Sequence, residues 1–197
     1  MGYFSVLLDL TQRRCVMVGG GPIAERRVLS LLEAGAQVTV ISPRATPALE
    51  ALALEGRIAL ESRTYEEGDL AGAQLAFVAT AAREVNLAVA REARARGVWI
   101  NAADDPAHCT FILPAIVRRG DLTVSVATGG TSPALSRAIR EELETYLTAD
   151  YATLAALAAE AWRRALGPEV RRLIVERGRD TAKLRLLELL GVETCAP

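Results

Sequence analysis

Histidine, lysine, cysteine and aromatic side chains are all scarce in this chain, and each shortage removes a class of function. The three cysteines, Cys15, Cys109 and Cys195, are an odd number at wide spacing with no C-x-x-C pair. That excludes a disulfide framework and a zinc knuckle. His108 is the only histidine, and His108-Cys109 alone makes a poor metal site, so no metal ligand set is read here. Net charge is close to zero, at −1, so no global basic field points to nucleic acid. No apolar run reaches membrane-spanning length, and Met1 to Leu10 carries no basic region ahead of a long apolar stretch. The expectation is a cytoplasmic protein with no membrane partner. Lys183 is the only lysine, so nearly all positive charge is arginine. GC-rich coding accounts for that bias, as does recognition of carboxylates by planar guanidinium groups.

What is present is an apolar content of 51 % spread along 197 residues, enough for one large domain with a small appendage. Cys15 to Val18 is a short apolar run ending in glycines, as in a buried parallel strand. Ile23 to Ala34 follows with helical spacing and stops at Gly35. Val38 to Ile41 is the next strand, and Thr46 caps a helix entered by Pro47. Ile58 to Leu60, Leu75 to Ala79 and Val98 to Ile100 read as further strands, with an amphipathic helix from Arg83 to Arg96 stopped by Gly97. Strands and helices alternating at this spacing predict a parallel sheet with helices on both faces, opened by a strand-glycine-helix unit of Rossmann type.

After Asp105-Pro106 the pattern changes. Ala115 to Val117 and Leu122 to Val126 alternate like antiparallel strands, with Arg118-Arg119-Gly120-Asp121 as the turn. Ser132 and Pro133 open a helix that runs to Leu147. From Tyr151 the chain is rich in alanine, leucine and arginine at helical spacing, broken at Gly167-Pro168, Gly178 and Gly191.

Gly19-Gly20-Gly21-Pro22-Ile23-Ala24 fits G-x-G-x-x-A. Gly19 permits the tight turn, Gly21 lets backbone amides approach a pyrophosphate, and Ala24 lets the helix pack closely on the strand. No acidic residue ends the second strand to hold ribose hydroxyls. Ser42-Pro43-Arg44 stands there instead, which leaves NAD and NADP both open. Thr80, at the end of the fourth strand, and Asn86, early in the next helix, are candidates for ribose or nicotinamide contacts; each also suits plain turn or capping duty. Asp104 and Asp105 leave the fifth strand at the ligand-binding edge. At most one of two adjacent residues on an extended segment enters a cleft, as a candidate general base. Thr128-Gly129-Gly130 is a second candidate anion cradle, and Arg118, Arg119, Arg137 and Arg140 are candidate carboxylate partners or simply a solvated face.

These residues together resemble the precorrin-2 dehydrogenases of sirohaem synthesis, including the N-terminal module of sirohaem synthases. The resemblance rests on V-G-G-G-P-I-A-E-R-R (Val18 to Arg27), L-L-E-A-G-A (Leu31 to Ala36), the Val38 to Pro43 strand end, Ala79-Thr80 and Val85-Asn86. It continues through N-A-A-D-D-P (Asn101 to Pro106), F-I-L-P-A (Phe111 to Ala115) and T-G-G-T-S-P-A-L (Thr128 to Leu135). It implies NAD-dependent oxidation of precorrin-2 to sirohydrochlorin by a homodimer built largely after Pro114, with Asp104 as the acidic residue that matters and Asp105 at a variable place. Three regions are then expected: a NAD-binding Rossmann domain over 1–113, a dimerisation segment of hairpin and helix over 114–148, and a small helical domain over 149–197. Some relatives also insert ferrous iron, which the residues leave open. With no room for the methyltransferase module of the trifunctional enzymes, another protein is expected to supply precorrin-2. The reading from a different class is a non-catalytic NAD sensor acting through a protein partner, which gives no task to Asp104 or to the Thr128-Gly129-Gly130 loop.

Overall fold

A computed structural model describes residues 2–103, 105–164, 168, 172, 183 and 185–191. Two compact units divide the chain, Met1–Ile112 and Leu113–Pro197.

The first unit is built on β1 (Arg14–Val18), β2 (Gln37–Ile41), β3 (Ala59–Glu61), β4 (Leu75–Val78) and β5 (Trp99–Ala102). They form one sheet in the order β3-β2-β1-β4-β5, with every neighbouring pair parallel. Along β1, Cys15 and Met17 join one apolar cluster, while Val16 and Val18 join another on the opposite face. Helices α1 (Pro22–Glu33) and α2 (Pro47–Leu54) close the first face through Ala24, Val28, Leu31, Leu49 and Leu52. Helix α3 (Arg83–Arg96) closes the second through Val89, Ala90 and Ala93. Burial on both faces is why these strands read as continuous apolar runs rather than alternating ones. Each fully buried Val, Leu or Met contributes roughly 1.5–3 kcal/mol. Burial also pushes the Cys15 thiol up to about 11, so it serves as an apolar filler.

The predicted helix signals act as expected. Thr46 Oγ1 accepts the Leu49 amide at 3.4 Å ahead of α2, and Gly97 ends α3 in the left-handed conformation at φ 68°. The third strand is displaced by one residue from its expected start, because Ile58 is drawn into the core ahead of the ladder that pairs Ala59 with Thr39.

The second unit opens with an antiparallel hairpin of β6 (Ala115–Arg119) and β7 (Leu122–Val126). Its turn is shorter than the sequence suggested. Arg118 and Arg119 pair with Thr123 and Leu122 inside the ladder, leaving only Gly120-Asp121 as the loop. Gly120 at φ 57° in the first central place suits a type II′ turn, whose twist matches the strands. Helix α4 (Pro133–Tyr146) packs on the hairpin, and α5 (Asp150–Arg163) lies against β7. Leu154 and Ala161 of α5 form a small core with Leu186 and Leu190. The breaks expected at Gly167 and Gly178 lie outside the described residues. Among the described residues no helix is long and apolar enough to cross a membrane.

Candidate functional site

In the order β3-β2-β1-β4-β5 the chain reverses direction of growth between β1 and β4, and ligands of such sheets bind beyond the strand carboxyl ends at that point. The glycine turn sits there. Gly19 donates its amide to Ile41 O at 2.9 Å while Ala79 donates to Val18 O at 2.9 Å, which ties the ends of β1, β2 and β4 together. Gly19 has φ 120°, and a Cβ there would collide with the Ala79 carbonyl. At Gly20 a Cβ would strike the Arg44 carbonyl, whereas at Gly21 it would meet open space. Gly21 is the N-cap of α1 and brings no side-chain oxygen to its first turn, and Pro22 follows at the first helical position. The first-turn amides and the positive end of the helix therefore remain for an anion. Ala24 is fully buried against the sheet, and the side chain of Ile23 is exposed.

The other predicted contacts divide sharply. Ser42 is buried and its hydroxyl donates to Arg44 O at 2.6 Å, so it shapes the loop, while Pro43 and Arg44 are exposed. Thr80 and Asn86 are brought together: Thr80 Oγ1 donates to Asn86 Oδ1 at 2.7 Å, and Asn86 Nδ2 returns a bond to Thr80 O at 3.1 Å. Thr80 Oγ1 also accepts the Ala82 amide at 3.2 Å, which fixes the turn from β4 into α3.

Asp104 lies outside the described residues, but both sides of its loop are described. Ala103 donates its amide to Val78 O at 2.8 Å. Asn101 Nδ2 donates to Phe111 O at 3.0 Å, and the Phe111 ring meets Phe77 edge-on at 5.6 Å. Cys109, which the sequence offered only as half of a poor metal site, fastens the loop: its Sγ accepts the Ala102 amide at 3.2 Å and faces the carbonyls of Ala102 and Asp105 at 3.3 and 3.4 Å. Burial pushes this thiol up, so it stays protonated and can donate. The short 3-10 turn Pro106–His108 between them holds His108 Nδ1 at 2.8 Å from Asp105 Oδ2. No spacing rule in the sequence signalled either contact.

In the second unit, Thr128 organises its loop. Its Oγ1 donates to Ser132 O at 3.0 Å and accepts the Ser132 amide at 3.1 Å, while Gly129 and Gly130 take φ 62° and 82°. Ser132 caps α4 as expected, accepting the Leu135 amide at 3.2 Å. Arg119 donates to the carbonyls of Leu147 and Glu144 at 2.6 and 3.1 Å, closing the C-terminal end of α4. Arg140 is held by Glu144 and Glu141 at 2.7 and 3.0 Å. Arg118 and Arg137 are exposed.

Residues 6–115 match the family model described as putative NAD(P)-binding. The chain belongs to that family. Residues 119–146 match a second model, the sirohaem biosynthesis protein central region, so the two modules follow each other in order. Family members of similar sequence include the sirohaem synthase of Methylobacillus flagellatus, 48 % identical over 79 % of this chain and 33 % of its own length. That of Methylococcus capsulatus is 43 % identical over 83 % of this chain and 35 % of its own. The chain thus spans about a third of the length of these relatives. Among solved structures, SirC, a precorrin-2 dehydrogenase, superposes with a TM-score of 0.70 at 28 % identity, covering 96 % of this chain and 88 % of that one. The NAD(P)-binding description of the family and the five-stranded parallel sheet both fit the nicotinamide-binding fold that the resemblance implies.

Proposed function

We propose that this chain oxidises precorrin-2 to sirohydrochlorin with NAD as the hydride acceptor. The observation that carries the reading is the pairing, on one sheet edge, of an anion seat with a carboxylate-bearing loop. The seat is Gly21 with the uncapped start of α1, and the loop is the one that leaves β5 after Ala102 and carries Asp105. The likeness to SirC over most of both chains supports the same reaction. The nicotinamide supplies the hydride-accepting carbon, and the protein positions the substrate against it.

Asp104 is assigned to the chemistry, accepting the released proton or orienting the macrocycle through its pyrrole N–H groups. Arg118, Arg137 and the Thr128-Gly129-Gly130 loop are assigned to the substrate's carboxylates. Arg119, whose guanidinium serves the end of α4, is assigned a structural task. NAD in preference to NADP follows the resemblance, with Pro43 and Arg44 bordering the ribose end and Ser42 shaping that loop. A homodimer through the second unit completes the proposal.

Anaerobic incubation with precorrin-2 and NAD, followed at the NADH absorbance, tests the reading. Wild type forms NADH, NADP serves poorly, and Asp104→Ala is slower by about 100-fold, the lower range for losing a proton-transfer group. No NADH from wild type refutes the activity; a fully active Asp104→Ala refutes only that residue's role. Sirohydrochlorin with ferrous iron in the same preparation tests whether iron insertion is added.

A further inference from the structure

We propose that His108, oriented by Asp105, is the proton acceptor of this oxidation, an inference that rests on the dehydrogenase reading. His108 closes the 3-10 turn Pro106–His108 just beyond the carboxyl end of β5. Its Nδ1 lies 2.8 Å from Asp105 Oδ2. A carboxylate only accepts, so this contact puts the ring proton on Nδ1 and leaves the lone pair of the neutral imidazole on Nε2. The ring keeps 30 % exposure, so solvent can reach it. This is the carboxylate–imidazole unit that presents a basic nitrogen in a fixed direction.

The surrounding backbone is well tied. His108 donates its amide to Asp105 O at 3.2 Å, and Cys109 donates to Pro106 O at 3.2 Å. The Cys109 thiol bonds across to Ala102, anchoring the turn to β5. Asp105 and Cys109 are the titratable groups among the described residues at this turn, with Asp104 next in sequence. Position on the sheet gives the pair its task. The glycine turn after β1 opens the first mononucleotide half, and β4 and β5 belong to the second. A dinucleotide laid across the reversal between β1 and β4 directs its far end towards the loops after β4 and β5.

The step balances as follows. A hydride passes from a ring carbon of the substrate to the nicotinamide, and the cation so formed loses a proton from a neighbouring C–H or N–H. Nε2 of His108 takes that proton, the Asp105 carboxylate stabilises the imidazolium, and the proton leaves to water. Asp104 then keeps its other role, orienting the macrocycle.

One histidine per chain makes the test direct. In untagged protein labelled with 15N-histidine, the ring nitrogens report a single residue, and wild type shows the Nδ1–H tautomer. Asp105→Ala moves the ring towards Nε2–H. In the assay with precorrin-2 and NAD, His108→Gln loses about 100-fold in kcat with NAD affinity unchanged, and added imidazole restores activity to His108→Ala. An Nε2–H tautomer in wild type, or wild-type kcat in His108→Gln, overturns the proposal while leaving the dehydrogenase reading in place. No NADH from wild type overturns both.

Discussion

Gly20 and Gly21 stand side by side in the turn yet answer to different constraints. A Cβ on Gly20 has nowhere to go, because the Arg44 carbonyl and Ala45 lie against it. Gly21 has open space and an ordinary φ of −83°, so the protein alone tolerates alanine there. On the proposed function, the need for glycine at 21 comes from the approach of the dinucleotide. Gly20→Ala is therefore expected to cost about 1–3 kcal/mol of stability through overpacking, seen as a lower Tm. Gly21→Ala should melt with wild type but bind NAD at least about tenfold more weakly, a loss of about 1.4 kcal/mol. Equal behaviour of the two variants in thermal unfolding and NAD titration rules out this division. The G-x-G-x-x-A spacing made Gly19, Gly21 and Ala24 legible in the sequence. Gly20 was not, since its constraint is a carbonyl 24 positions further along.

At the scale of elements, the connection between β3 and β4 is held down by one buried carboxylate on α3. Glu92 is only 6 % exposed. It accepts the Tyr65 hydroxyl, the Gly68 amide at 2.9 Å and Arg96 Nε at 2.5 Å. The loop is further tied by Arg63, which forks onto Asp69 at 2.8 and 2.7 Å. Burial by itself raises the Glu92 carboxyl, but the bonds from Tyr65, Gly68 and Arg96 outweigh it and hold the group below its ordinary 4.5. Burial first, and Glu92 second, raises the Tyr65 hydroxyl, which stays a donor. A depressed carboxylate stabilises the fold above its unfolded value and loses that contribution as pH falls through the folded one. Glu92→Gln should thus lower stability at neutral pH by about 1–3 kcal/mol. Its deficit in Tm should shrink on acidification below about pH 4.5; a deficit that is constant from pH 7 to 3 excludes the mechanism. Sequence placed Glu92 on a helix, four residues before Arg96, but gave no reason to bury it, because its other two partners, Tyr65 and Gly68, come from a loop more than twenty residues away.

The second unit poses the question of assembly at the scale of the molecule. A two-stranded hairpin is marginal alone, and Val117 is its only buried residue. Over α4 only Ser136 is buried, while Leu135 and Tyr146 keep 52 % and 69 % exposure. So much open apolar surface beside a short sheet is what a second copy would cover. Light scattering should give twice the 21.1 kDa chain mass, and Leu135→Glu with Tyr146→Glu should yield monomers. A monomeric wild type at micromolar concentration removes the dimer.

Sequence by itself determined the alternation of strands and helices, the glycine turn, the caps at Thr46 and Ser132 and the family resemblance, because these are local patterns of period, φ and side-chain reach. Tertiary structure alone decided which groups became partners across distance. Arg119 left the predicted turn for a strand and closed α4, Thr80 found Asn86, and Cys109 clamped the loop after β5. It also set His108 against Asp105, an imidazole whose direction depends on how the chain turns back at Pro106. Local spacing reports what a segment can form, whereas hydrogen bonds between segments exist only once the sheet fixes where each segment ends.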